Sequence, residues 1–203
     1  MNEKSTIRTN RTVNMEDYLS NERISANRNE FLGGRVIPKP SANRFHNRIV
    51  TNLAVAIGSR TTAGKLEMYV SNMLVKISGN VICYPDIVIV TGEPAFSDAE
   101  LDVLLNPNIV IDVSSVKTDA RDRTLRLENY MAMETIRECI LVRSDEMRIE
   151  HFARQNSKQW MFRIYNERDD VISIDTISCK VSIQEIYAQV KFGRPAFSSA
   201  AVN

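Results

Sequence analysis

Two short runs of β-branched residues constrain the fold of this chain more than any other feature. Residues 87–90 read IVIV and residues 109–113 read IVIDV, so the regular alternation of apolar and polar residues that marks a half-exposed strand is missing. Such runs are typical of strands that are covered on both faces, as in a sheet flanked by helices. They predict the centre of a buried β-sheet.

Each of these two strands carries one carboxylate. Asp86 begins the first strand, directly after Pro85, and Asp112 lies near the end of the second. A carboxylate is a poor occupant of a buried sheet unless it is paired or binds a metal ion. From chemistry alone, two interpretations stay open. Either the two aspartates converge on a hard cation such as Mg²⁺ or Mn²⁺, or each lies at an exposed strand end.

Helices and further strands are predicted around that centre. Apolar residues recur every four positions from Phe45 to Ile57, which predicts a helix capped by Ser41 and ending near Arg60. A second helix is predicted from Thr118 onward. The order of the other segments predicts a hairpin at 30–37, strands within 66–83, an antiparallel meander over 139–174 and a closing helix at 183–190.

Composition bounds the class of protein. The 203 residues predict one domain over residues 14–192, with flexible tails at 1–13 and 193–203. The three cysteines include no C-x-x-C pair, so buried reduced thiols are expected rather than a zinc site. The longest apolar runs fall short of the ~18 residues of a membrane span, and no secretory signal is recognisable, so we expect a cytoplasmic protein without a membrane partner.

The order and spacing of several segments are more specific than any one of them. The segments are YPDIVIV at 84–90, PNIVIDVSS at 107–115, and the helix positions Thr118, Asp122, Arg126 and Tyr130. An EFLGG hairpin at 30–34, a helix led by His46 and a closing helix at 182–187 accompany them. Together they cover roughly residues 14–190 and resemble the Uma-type restriction endonuclease family, which is assigned to the PD-(D/E)XK nuclease superfamily.

The resemblance implies a fold and a chemistry. The fold is α/β (α+β) and restriction-endonuclease-like, with a central mixed β-sheet flanked by helices. The chemistry is metal-dependent hydrolysis of DNA phosphodiester bonds, with Mg²⁺ or Mn²⁺ as cofactor and DNA as substrate. A homodimer is also expected, because two-fold dimers are the commonest assemblies.

Residue by residue, the resemblance makes Asp86 and Asp112 the metal ligands and Glu30 an additional catalytic acid. Arg126 stands where the family usually has a catalytic lysine, and Asp112 stands where it usually has glutamate. Asp122 and Tyr130 match recurring family positions and are expected to support the site. Lys117 lies close enough in sequence to substitute for the lysine, and His46 is interpreted as a packing or hydrogen-bonding residue.

Two departures from the family pattern keep an alternative open. Aspartate at position 112 reaches one methylene less than glutamate, and a metal site tolerates little displacement of a ligand. Arginine at position 126 keeps its positive charge but cannot act as a general base, because it is not deprotonated in proteins. The alternative is a nuclease-like module that binds nucleic acid or assembles with partners without cutting. A purely structural protein would instead leave Asp86 and Asp112 without a shared site.

Overall fold

The structure is a computed structural model that describes residues 13–61, 66–115 and 120–192. The helices are α1 (Met15–Ile24), α2 (Arg44–Gly58), α3 (Ala120–Ala132) and α4 (Ile183–Ile186), with a short 3₁₀ helix at Asp175–Ile177. The first strands are β1 (Asn29–Leu32), β2 (Arg35–Pro38), β3 (Leu66–Val70), β4 (Leu74–Ser78), β5 (Val81–Cys83), β6 (Ile87–Thr91) and β7 (Val103–Leu104). The later strands are β8 (Ile109–Ser114), β9 (Glu138–Arg143), β10 (Ile149–Asn156), β11 (Gln159–Tyr165), β12 (Val171–Ile174) and β13 (Cys179–Ser182).

A six-stranded mixed sheet forms the centre of the molecule. Its strand order is β11-β10-β9-β8-β6-β3, and β8 and β9 are parallel while the other neighbours are antiparallel. Strands β6, β8 and β9, which include the two β-branched runs, are almost wholly buried. The predicted central mixed sheet flanked by helices is therefore confirmed.

Helices cover both faces of this sheet. The apolar face of α2, which includes Ile49, Leu53 and Ile57, packs in one core cluster with alternate residues of β6 and β8. On the other side, Tyr130 of α3 packs in a second cluster with the intervening residues of the same strands. Because neighbouring residues of a strand point to opposite faces, a central strand covered in this way must be apolar at nearly every position.

Two smaller sheets differ from the predicted arrangement of strands. A five-stranded sheet has the order β2-β1-β5-β4-β7, so the strands predicted within 66–83 are divided between two sheets. The β1–β2 hairpin forms as predicted, and its turn needs glycine because Gly33 and Gly34 have φ values of +61° and +79°. The predicted meander is wrong at its last strand, because β12 pairs with β13 rather than with β11.

The helix ends also differ from the prediction. Asn43, not Ser41, caps α2: its side-chain Oδ1 accepts a hydrogen bond from the backbone N–H of His46 at 3.0 Å. The closing helix begins at the predicted capping box of Ser182 and Glu185 but ends at Ile186. Among the helices of the described residues, none is long and apolar enough to cross a membrane.

Candidate functional site

The pairing of β6 with β8 places the two predicted aspartates together. Ile87 pairs with Ile111, and the backbone N–H of Asp86 donates to the carbonyl of Ile111 at 3.1 Å. One step further along this antiparallel register, Asp86 stands opposite Asp112. Residues that are directly opposite in an antiparallel pair share a face of the sheet. Both carboxylates line the same pocket.

Asp86 is held by three hydrogen-bond donors from separate parts of the chain. Oδ1 lies 3.0 Å from Nζ of Lys39, and Oδ2 lies 3.1 Å from Nε2 of His46 and 2.8 Å from the backbone nitrogen of Val113. Burial alone would raise the pKa of this carboxyl group. The hydrogen bond with His46 and the charge of Lys39 outweigh burial and lower the pKa to about 2. Asp86 is therefore a fixed anion.

Asp112 has a different electrostatic environment. The Tyr130 hydroxyl donates to its Oδ2 at 2.9 Å, and Nε of Arg126 lies 3.7 Å from the same oxygen. Burial raises the pKa of Asp112, and the nearby charge of Asp86 raises it further, although Arg126 opposes both effects. The two aspartates are thus a pair of acidic groups that line one pocket.

Glu30 and Arg126 form a second layer behind this pair. Nη1 and Nη2 of Arg126 donate to Oε1 and Oε2 of Glu30 at 2.9 and 2.5 Å, which is a bidentate ion pair. Glu30 also accepts from the backbone N–H of Tyr84 at 3.0 Å and is only 3% exposed. It does not line the pocket, whereas Arg126 does. Glu30 therefore contacts the site through Arg126.

The pocket is large enough for a few atoms of a ligand beside the carboxylates, with a volume of about 150 Å³. One wall is the segment that connects β2 to α2, and the other comes from the ends of β8 and β9. The polar side chains of the lining include Lys39, His46, Ser114, Arg123 and Ser144. The pocket therefore combines two carboxylates with cations and hydroxyl groups, a mixture suited to an ionic ligand.

The two aspartates fit a metal ion that takes few protein ligands. Within the described residues, no three Asp, Glu, His or Cys side chains converge as a metal-binding group. Mg²⁺, however, is usually held by one or two carboxylates, with waters and substrate phosphates as its remaining ligands. Asp86 and Asp112 match such an open site. Burial and, to a lesser extent, repulsion by Asp86 raise the pKa of Asp112, and a cation between the two carboxylates would relieve that repulsion.

The sequence alone does not place two of the residues that contact Asp86, Lys39 and His46, in the site. Lys39 was not a candidate, and its contact with Asp86 joins residues 47 positions apart. For His46 the sequence predicts a packing or hydrogen-bonding residue, and it does hydrogen bond, with Asp86 in the pocket. The one signal for Lys39 was its position between Pro38 and Pro40, just before a helix.

The other predicted residues fall into two groups. Tyr130 is fully buried in the α3 side of the core, and its hydroxyl group donates to Asp112. Lys117 lies outside the described residues, and so does the side chain of Asp122.

Similar proteins come from the cyanobacterial genus Synechocystis. Uncharacterized protein sll1609 is 26% identical over 156 residues, which cover 76% of this chain and 88% of that protein. Uncharacterized protein slr1290 is 23% identical over 179 residues, which cover 87% of this chain and 92% of that protein.

A solved structure shares the fold. It is the crystal structure of a putative nuclease belonging to DUF820 from Anabaena variabilis, with a TM-score of 0.69. The match covers 88% of this chain and 99% of that chain at 15% sequence identity. The sequence model of the Uma2 family, described as a putative restriction endonuclease, matches residues 15–184, which is more than half of the chain. This match confirms the resemblance inferred from the sequence, and the chain belongs to the Uma2 family of putative restriction endonucleases.

Proposed function

We propose that this protein is a Mg²⁺- or Mn²⁺-dependent endonuclease that hydrolyses DNA phosphodiester bonds. The observation that carries the proposal is the placement of Asp86 and Asp112 opposite each other in one pocket, where two adjacent central strands of the sheet pair. Membership of the Uma2 family and the fold shared with a putative nuclease from Anabaena variabilis support it.

Each residue around the pocket has a distinct part in this proposal. Asp86 and Asp112 would hold the metal ion through carboxylate oxygens. A divalent cation bound there supplies a water of lowered pKa and positive charge beside the phosphate. Tyr130 and Arg126 orient Asp112, because both contact its Oδ2. His46 and the backbone N–H of Val113 fix Oδ2 of Asp86, so that carboxylate is aligned before a ligand arrives.

Cleavage of supercoiled, linear and single-stranded DNA, with Mg²⁺ and separately with Mn²⁺, tests the proposal. The matched variants are Asp86→Ala and Asp169→Ala, because Asp169 is an exposed aspartate in the turn between β11 and β12. We expect metal-dependent cleavage that falls at least about 1000-fold in Asp86→Ala, the loss of several kcal/mol of transition-state stabilisation. Asp169→Ala should cut like the wild type.

Direct metal binding separates the site assignment from the activity. Asp86→Ala should lose Mn²⁺ binding, measured by titration calorimetry, while its circular dichroism spectrum stays that of the folded protein. Unchanged Mn²⁺ affinity in this variant would show that the site assignment is wrong, whatever the cleavage assay gives.

A second candidate function is a module that binds nucleic acid without cutting it. One observation favours it: acidic groups of the site already have cationic partners within the protein, Lys39 for Asp86 in the pocket and Arg126 for Glu30 behind it. DNA binding by a folded, metal-loaded wild type that never cuts would support this candidate. The expected homodimer and the expected cytoplasmic location stay predictions, and light scattering of the purified protein tests the first of them.

A further inference from the structure

We propose that Lys39, in the segment between β2 and α2, is the residue that binds the substrate phosphate in this pocket. The proposal rests on the proposed function, because it takes the occupant of the pocket to be a nucleic-acid phosphate. It assigns to Lys39 the cationic role that the family resemblance assigned to Arg126.

The hydrogen bonds of Lys39 leave the ammonium group with spare capacity. Its Nζ donates to the carbonyl oxygen of Tyr84 at 2.6 Å and to Oδ1 of Asp86 at 3.0 Å. An ammonium group carries three N–H donors, so among the described residues one donor is left over. The side chain lines the pocket and keeps 23% of its surface exposed. A phosphate oxygen beside Asp86 is a suitable acceptor for that donor.

The backbone around Lys39 is restrained before any ligand binds. Pro38 and Pro40 flank it, and a residue that precedes proline is confined to extended conformations. The backbone N–H of Lys39 also donates to the carbonyl of Arg28 at 2.8 Å. A side chain that projects from a restrained backbone loses less conformational entropy when it binds a ligand. Lys39 is therefore preorganised for its contact.

The other cations of the pocket have commitments elsewhere. Both terminal nitrogens of Arg126 are bound by Glu30, and its Nε is 3.7 Å from Asp112, so this guanidinium group positions a carboxylate. The Nη2 of Arg123 lies 3.7 Å from Oε2 of Glu150. Lys39 alone among these three directly hydrogen-bonds one of the two facing aspartates. Its ammonium group therefore lies where the reacting phosphate would meet the carboxylates.

The salt dependence of DNA binding is a readout that a purely structural lysine would not change. Binding of a short fluorescein-labelled duplex is measured in EDTA between about 50 and 200 mM NaCl, for the wild type, Lys39→Met, Lys39→Arg and Lys158→Met. Lys158 is the matched control, because it lies exposed in the turn between β10 and β11. For a lost phosphate contact, the slope of log K against log salt should fall by about one in Lys39→Met. Lys39→Arg, which keeps the charge, and Lys158→Met should keep the wild-type slope.

Cleavage in Mn²⁺ by the same four proteins completes the test. We expect Lys39→Met to cut about 100-fold more slowly, the usual cost of removing one group that stabilises transition-state charge. Thermal unfolding shows whether Lys39→Met is folded. Where it is not, Lys39→Gln replaces it, because glutamine keeps an N–H donor but loses the charge. Its slope should fall by about one, and a wild-type slope in folded Lys39→Gln would overturn the role of Lys39.

The outcomes separate the two proposals. A wild type that binds DNA with a slope dependent on Lys39 but does not cut supports the role of Lys39 and overturns hydrolysis. A wild type that cuts, with equal slopes and rates for Lys39→Met, overturns the role of Lys39 and leaves hydrolysis standing. A wild type that does not bind DNA even at the lowest salt overturns the role of Lys39 as well.

Discussion

Two places at the large sheet hold a buried carboxylate in contact with a histidine, and they differ in the groups that surround the pair. Asp86 contacts Nε2 of His46 at 3.1 Å, and Glu138 of β9 contacts Nε2 of His151 of β10 at 2.6 Å. In both histidines, Nδ1 has no hydrogen-bond partner within the described part of the chain. By contact geometry alone, the two pairs would be equal candidates for a functional site.

The two acid–histidine pairs differ in burial and in the charged groups near them. Glu138 and His151 are each 2% exposed, and the second oxygen of Glu138 accepts from the backbone N–H of Thr176 at 2.7 Å, at the 3₁₀ helix. Neither residue lines the pocket that contains Asp86. Asp86, in contrast, has a second carboxylate opposite it, a lysine on its other oxygen and open space beside it. An acid–histidine contact therefore indicates a site only where a pocket and further charges accompany it.

The largest expected effect that would test this contrast comes from Glu138→Ala. Removal of this carboxylate takes the hydrogen-bond acceptor from both Thr176 and His151, so we expect the free energy of unfolding to fall by about 2–4 kcal/mol. Cleavage by the protein that stays folded should be close to that of the wild type. Urea denaturation and the plasmid assay measure the two effects.

The matched control for this variant is Glu134→Ala, because Glu134 is exposed just after α3. It should change the free energy of unfolding by no more than about 0.5 kcal/mol. The contrast between the two regions would be broken if folded Glu138→Ala lost cleavage as completely as Asp86→Ala.

The sequence predicts well the two facing aspartates and the buried face of α2. Asp86 and Asp112 stand out because a carboxylate is conspicuous inside a β-branched run, and one antiparallel register brings them together. Apolar residues recur every four positions in α2, and this spacing predicts which face of the helix is buried. Both features depend on residues that are close in sequence or on adjacent strands.

The features that the sequence does not predict depend on contacts between distant segments. Lys39 reaches Asp86 from the segment that follows the hairpin, and no periodic pattern places that segment beside β6. Likewise, strands β3 and β4 are neighbours in sequence but belong to different sheets, because strand propensity does not specify a partner strand. The bidentate contact of Arg126 with Glu30 spans 96 positions and is equally invisible in the sequence.

Arg126→Lys sharpens the contrast within the pocket itself. The family resemblance implies lysine at this position, but lysine cannot replace a bidentate guanidinium group. We expect the free energy of unfolding to fall by about 1–3 kcal/mol, because Glu30 loses one of its two charge-assisted hydrogen bonds. Cleavage should fall about 10- to 100-fold, as for a residue that orients a metal ligand.

Arg137→Lys is the matched control, because Arg137 is exposed ahead of β9. Urea denaturation and cleavage should both stay near the wild-type values for this variant. Faster cleavage by Arg126→Lys than by the wild type would contradict the positioning role, since it would mean that a lysine at this position acts on the substrate.

The smallest expected effect concerns the hydroxyl group of Tyr130, which donates to Asp112 from within the α3 core. Tyr130→Phe removes one buried hydrogen bond and little volume, so the free energy of unfolding should fall by about 1–2 kcal/mol. Tyr69→Phe is a control of the same chemistry, because the Tyr69 hydroxyl donates to Glu67 on the exposed part of β3. If the hydroxyl of Tyr130 orients a metal ligand, Tyr130→Phe should weaken Mn²⁺ binding about tenfold, and Tyr69→Phe should not change it. Equal Mn²⁺ affinity in the two variants would mean that Tyr130 supports the core alone, and that Asp112 is held for metal binding by Arg126 without it.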